Sequence, residues 1–515
     1  MLDPPQTMPH KRSAPNGSGL RPNTARDRIP RLSKSRFMSG LQCHKRLYLE
    51  LYDTDLAGSG DESTQSAFDT GHRVGTLARD RYPKGRLISH DHLQHAHAEL
   101  ATRSALGNPA VPAIYEAAFS FDRVGVRADI LARTRDRRFD LLEVKSTLDV
   151  KPEHEWDVAV QLYALEGAGV AVRWARLMHL NRDYVYPGGD YDLKQLFTFT
   201  NLTRRARKRR PDIVSALKAM RQALAGNTPP PISTGPHCSR PYACPFHEHC
   251  HQGEPDHSID QLPRLRERLR EQLVSMGILD IRKIPPDFEG LSFLQARVAQ
   301  AVRTRRRFHD PAISKKLAKA KFPIHFVDFE TFSPALPLYP GTRPYQMIPF
   351  QWSDHILNAD GGLSHREFLN TDHNDPRRPF AKSLLETVGR KGSIIVYGTF
   401  EATRLKDLAE LFPDLATPLE CARKRIINLH PLIRGHIYDP EFHGSFSTKS
   451  VLPALVPELG YDDLEIAEGN AASLAYAEIQ DPETPPERIT ELRSALLAYC
   501  KRDTQAMVEL FRLLR

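Results

Sequence analysis

The chain has 515 residues and a net charge of +9, from 72 Lys and Arg against 63 Asp and Glu. Apolar residues make up 40% and charged residues 26%, a balance too apolar for a wholly disordered chain. No run approaches the ~18 consecutive apolar residues that a membrane-spanning helix needs, and at about 150 residues per domain the length predicts roughly three or four domains.

The opening MLDPPQTMPHKR carries no apolar core, so no secretory signal is expected. Six cysteines are too few for a disulfide framework, and the expected location is the cytoplasm. Residues 1–37 hold eight Lys/Arg and two acids, which accounts for six of the nine net positive charges. Residues 1–30, rich in Pro, Gly, Ser and Asn, read as a disordered basic tail.

A first folded domain is expected over 31–255. LSKSRFMSGLQCHKRLYLELY (32–52) reads as one amphipathic helix, and FDTGHRVGTLARDRYP as another after a polar stretch at 58–66. VPAIYEAAFSF, VGVRADILAR and RFDLLEVKS read as three successive strands over 111–146. HEWDVAVQLYALEGAG is a helix closed by glycines, and NTPPPISTGP leads into a Cys/His-rich knot at 237–251. Residues 256–314 read as a helical linker. An α/β domain is expected over 315–515, with strands FPIHFVDFET and SIIVYGT, helix FEATRLKDLAELF and a last helix from about Ile489. Two basic runs, Arg204–Arg210 and Arg303–Arg307, are either phosphate-neutralising or solvated helix faces.

Asp129 lies on the second of the three strands, and Glu143 and Lys145 on one face of the third. Two carboxylates and a backbone carbonyl suit Mg²⁺ or Mn²⁺. A lysine beside them can orient and help deprotonate an attacking water. GVRADIL, FDLLEVKS and VAVQLYAL together resemble the PD-(D/E)XK nuclease core of the RecB-like type. That resemblance implies a restriction-endonuclease-like fold, metal at Asp129 and Glu143, catalysis with Lys145, and a supporting Gln161. The family's metal-binding histidine has no counterpart at Gly75, and His72 stands off register.

CSRPYACPFHEHC spaces Cys238, Cys244 and Cys250 evenly, without the tight pair usual for structural zinc. With Cys43 far upstream, the set resembles the iron–sulfur clasp of AddB-type and CRISPR-associated RecB-like nucleases. The resemblance implies a [4Fe–4S] cluster held by these four residues. Zinc helped by neighbouring histidines, or reduced free thiols, remain open. Cys421 and Cys500 read as ordinary thiols.

In FVDFETF, Asp328 and Glu330 share a strand face; Glu401 opens a helix in YGTFEATRL; Tyr499 and Asp503 sit at i, i+4 on the last helix. Four converging carboxylates can hold two divalent cations ~3.5–4 Å apart. The ordered set resembles the DnaQ-like DEDD exonucleases, on a ribonuclease H-like fold. Asp328, Glu330, Glu401 and Asp503 then become the metal ligands and Tyr499 the tyrosine of the "y" subtype, with Glu401 replacing the usual aspartate. GSFSTKSVLPALVPELGY (444–461) belongs to the same resemblance, a bacterial family joining both nuclease types. The expected function is hydrolysis of phosphodiester bonds in DNA, for repair, recombination or defence. Two alternatives remain: an RNA-processing exonuclease and a non-catalytic nucleic-acid-binding protein. No G-x-x-x-x-G-K-[ST] loop occurs, so unwinding would need a helicase or other repair partner.

Overall fold

The computed structural model describes residues 30–58, 62–90 and 94–515. The tail expected over 1–30 lies outside them, apart from Pro30. The molecule is mixed α/β, with two large sheets and one small one. No described helix is long and apolar enough to cross a membrane.

The first sheet is built from Leu32–Ser33 (β1), Arg86–Leu87 (β2), Ala113–Phe121 (β3), Val124–Arg133 (β4), Phe139–Lys145 (β5), Val172–Leu180 (β6) and Phe197–Asn201 (β7). Its order is β2-β3-β4-β5-β6-β7, with β1 alongside β4. The three expected strands form an antiparallel meander β3–β4–β5. The helix Pro152–Gly167 then crosses over, and β6 returns parallel to β5. As a central strand, β5 is buried on both faces through Glu143, which explains its near-continuous apolar run.

The pattern at 32–52 predicts one helix, but the structure breaks it at Cys43. Helices Lys34–Gln42 and His44–Tyr52 meet at this residue, whose backbone is extended (φ −163°, ψ 123°). No Pro or Gly stands at position 43, so local chemistry gave no sign of the break. The Gln42 amide donates to the carbonyls of His237 and Tyr242, both at 2.7 Å, tying this corner to the cysteine knot.

Phe308–His309 (β8) precedes the second sheet, made of Ile324–Phe332 (β9), Ile348–Leu357 (β10), Leu363–Leu369 (β11), Ser393–Val396 (β12) and Ile426–Asn428 (β13). Its order is β11-β10-β9-β12-β13. The first three strands are antiparallel neighbours, and β12 and β13 run parallel to β9. Ile437–Tyr438 (β14) pairs with β8. The last helix, Pro486–Leu514, packs Leu496, Met507, Leu510 and Phe511 against this sheet.

Residues 256–314 are less helical than their charge pattern predicts. Pro263, Gly277, Pro285, Pro286 and Gly290 punctuate short helices at Glu267–Ser275 and Phe293–Thr304. Ile259, Leu262, Leu273, Ile281 and Val302 pack in one cluster with Ile324, Phe326 and Phe332. Each such side chain contributes about 1.5–3 kcal/mol on full burial, so this segment is held by the second core. The basic runs are paired in part. Arg205 and Arg207 bridge Glu155 and Glu166 at 2.7 and 2.9 Å, and Arg307 bridges Asp439 at 2.7 Å.

Candidate active centres and the cysteine cluster

On the first sheet, Ile130 pairs with Leu142, which brings the adjoining Asp129 and Glu143 side by side. Asp129 Oδ2 accepts the Val144 N–H at 2.7 Å. Glu143 is 1% exposed. Its Oε1 receives Lys34 Nζ at 2.7 Å and Lys145 Nζ at 2.8 Å, and its Oε2 accepts from the Gln161 amide. Lys145 also reaches Asp157 at 2.7 Å. The structure therefore gathers Asp129, Glu143, Lys145 and Gln161, and adds Lys34 and Asp157. Tyr163, two residues beyond Gln161 on the same helix, donates to Asp122 at 3.0 Å.

Burial, then the neighbouring Glu143 charge, pushes the Asp129 carboxyl up to about 7. Burial acts to raise Glu143 too, but Lys145 and Lys34 outweigh it and hold Glu143 well below the ordinary range. Asp157 had a readable signal: it lies four residues before Gln161 on one helix face. Lys34 had none. It is brought in by β1, whose Leu32 and Ser33 pair with Val124 and Gly125 of β4.

Cys43, Cys238, Cys244 and Cys250 line one cavity, together with His237 and His247. Burial raises the thiols of Cys238 and Cys244 above their ordinary range. Lys45 and Arg46 line the same cavity and would offset the negative charge of thiolates. This donor set fits a metal centre. The cavity volume is about 20 Å³, roughly one water-sized sphere. Among the described residues no three of these thiols and imidazoles lie within 4.8 Å of one another, so zinc, with Zn–S of about 2.3 Å, would draw them together, whereas an iron–sulfur cluster spaces its thiolates more widely.

On the second sheet, the two-residue spacing places Asp328 and Glu330 on one face of β9, opposite Ser353 and Gln351 of β10. Ligand atoms of Asp328, Glu330 and Cys500 all lie within 4.8 Å of one another. The thiol of Cys500 is 3.6 Å from Asp328 Oδ2. Sequence reasoning treated Cys500 as an ordinary thiol; its place one residue after Tyr499 carried no signal. Tyr461 was also missed. Its hydroxyl donates to Asp503 Oδ1 at 2.5 Å.

Asp328, Glu330, Tyr499 and Asp503 line one cavity of about 770 Å³. Glu401, 4% exposed, stands at the first turn of the helix Phe400–Leu411 and faces apolar neighbours including Val327 and Phe329. Its Oε2 has no partner among the described residues, and its charge still acts on Asp328 and Glu330. Burial, then the charges of Asp503 and neighbouring acids, holds Asp328 and Glu330 well above the carboxylate range. Burial pushes Glu401 up to about 7 and Asp503 up to about 6. Crowded acids are neutralised by protons when no cation is present, and divalent ions can replace those protons.

A family model for a domain of unknown function (DUF2779) matches residues 325–447. The match spans Asp328, Glu330 and Glu401 and stops before Tyr499 and Asp503. No curated protein and no solved structure matches the chain.

Proposed function

We propose that the chain is a Mg²⁺- or Mn²⁺-dependent nuclease, with its main hydrolytic centre at Asp328, Glu330, Glu401 and Asp503. The observation that carries this reading is that Asp328, Glu330 and Asp503 open onto one cavity beside Tyr499, with Glu401 buried behind them and acting on Asp328 and Glu330 through its charge. The strand order, an antiparallel trio continued by two parallel strands, supports a ribonuclease H-like fold. The meander, crossover helix and parallel β6 likewise support a PD-(D/E)XK fold for the first half.

Bound divalent ions would stabilise charge on the attacking and leaving oxygens. Asp328 and Glu330 present their carboxylates together because β9 alternates. Tyr461 fixes Asp503 by its hydrogen bond. The Tyr499 phenol is held neutral by burial and by Asp503, so it can donate a hydrogen bond and orient a water. Any cluster or zinc held by Cys43, Cys238, Cys244 and Cys250 would clasp the two ends of the first half.

The first centre has a more closed geometry. Glu143 Oε1 holds two lysines and Oε2 one amide donor, so a cation there would compete with Lys34 and Lys145 for Oε1. This favours a weaker, secondary site.

The test is an assay of the full chain on single- and double-stranded DNA and RNA with Mg²⁺ or Mn²⁺. Cleavage lost in Asp328→Asn supports the assignment. Survival of every substrate would leave nucleic-acid binding as the activity and sink the hydrolase reading.

A further inference from the structure

The segment 256–314 carries most of its apolar residues inward, yet turns Arg264 outward. Arg264 has φ +55°, a conformation that costs a non-glycine residue about 1–3 kcal/mol and persists only where its surroundings enforce it. Those surroundings are specific. Leu262 is buried at 2% exposure. The Gln295 amide donates to the Pro263 carbonyl at 3.0 Å. The Gln261 carbonyl lies so close to Gly444 that a Cβ there would be 1.7 Å away.

The exposed Arg264 side chain lines the same cavity as Asp328, Glu330 and Asp503, and so do Arg434 and Lys449. Among the described residues none of these three cations makes a salt bridge within 4.0 Å, although the charge of Lys449 acts on Glu330 and Asp503. The cavity therefore has an acidic floor and a basic rim.

We infer that Arg264, Arg434 and Lys449 form a phosphate-binding rim that seats the end of a single nucleic-acid strand over Asp328, Glu330 and Asp503. This rests on the nuclease reading of that centre. A phosphodiester is repelled by carboxylates and needs cations on its non-bridging oxygens. The rim supplies them beside the acids. The volume, about 770 Å³, lies within the ~300–1,000 Å³ of small-molecule pockets. It suits the last nucleotides of a strand better than the side of a duplex. His430 and Tyr397, with rings 5.8 Å apart, line the same cavity and offer aromatic surface to a base.

The experiment uses the full chain, a fluorescein-labelled single-stranded DNA, its RNA counterpart and a duplex, with Ca²⁺ as the only divalent ion. Dissociation constants are measured across a salt series, and cleavage separately with Mg²⁺ and Mn²⁺. Arg264→Ala and the pair Arg434→Ala/Lys449→Ala are each expected to weaken single-strand binding about tenfold. Each lost contact should reduce the salt slope by about 0.7. Arg264→Gly provides the control for folding. Glycine accepts the left-handed backbone, so its melting temperature should equal or exceed that of the wild type while binding weakens. Unchanged affinity and slope in the triple variant overturn the rim, as does an equal loss for single strand and duplex. Rim-dependent binding in a wild type that cleaves nothing keeps the rim and overturns the hydrolase reading. Normal cleavage with an unaltered KM in the variants does the reverse.

Discussion

At the residue scale, the two lysines on Glu143 have opposite expected effects. Lys145 lies between Glu143 and Asp157, and in the proposed nuclease it would serve the attacking water. In an Asp328→Asn background, Lys145→Ala should lower remaining cleavage by at least about 100-fold, the lower bound for a positioned acid–base group. Lys34 competes with a cation for Glu143 Oε1. Lys34→Ala should therefore tighten Mn²⁺ binding at this centre, measured by calorimetry in the same background; weaker binding would show that Lys34 supports the site. The acids of the second centre predict a pH dependence. Their folded values lie above their unfolded ones, so the folded state binds more protons. Stability from these groups is complete below about pH 4, near the unfolded carboxylate values. It is lost as pH rises through about 6 and 7, the values of Asp503 and Glu401. In EDTA, the wild type should lose more melting temperature between pH 5 and pH 8 than Asp328→Asn does. Mg²⁺ should restore it at pH 8. Equal profiles for the two proteins would refute the coupling. Period two made Asp328 and Glu330 legible, and period 3.6 made Tyr499 and Asp503 legible. Lys34, Cys500 and Tyr461 were not, because tertiary packing alone brings them to these carboxylates.

At the element scale, the strands were legible wherever alternation or a β-branched run was strong, as in β4, β5 and β9. The break at Cys43 was not, because both flanking helices share one amphipathic pattern. That break has a consequence for the cysteine cavity. Cys43 belongs to the opening helices and the other three cysteines to 238–250, so a metal held by all four staples distant elements. Anaerobically purified protein should be brown and contain iron. Cys43→Ser should lose metal as fully as Cys238→Ser does, and both should melt lower. Elemental analysis finding zinc without iron would overturn the cluster but retain the clasp. Metal retained in Cys43→Ser would remove Cys43 from the set. The segment 256–314, expected as a helical linker, carries short helices broken by irregular chain, which its charge pattern masks. Its buried Ile and Leu residues have no single period, and only the fold shows which core they enter.

At the scale of the molecule, the two halves meet beside the first centre. Ala335 and Leu336, from the loop after β9, enter a cluster with Val74, Tyr115, Leu142 and Tyr184 of the first half. Backbone bonds reinforce it: Tyr186 N–H to Thr342 O at 2.9 Å and Gly341 N–H to Tyr186 O at 2.8 Å. The Tyr345 hydroxyl donates to the Ser146 carbonyl, one residue beyond Lys145. The loop leading from β9, which carries Asp328 and Glu330, is thus fastened to the end of β5, which carries Glu143 and Lys145. This joint was not legible in the sequence, since neither 334–347 nor 184–191 has a regular pattern. Shared apolar packing couples unfolding of the halves, so the wild type should melt in one calorimetric transition. Leu336 is 7% exposed, and Leu336→Asp places an unpaired carboxylate in this cluster, at a cost of several kcal/mol. Two transitions should then appear. Mg²⁺ should raise the one belonging to the second half most, because the more open carboxylate centre lies there. A single transition in the variant, or two already in the wild type, would show that this cluster does not couple the halves.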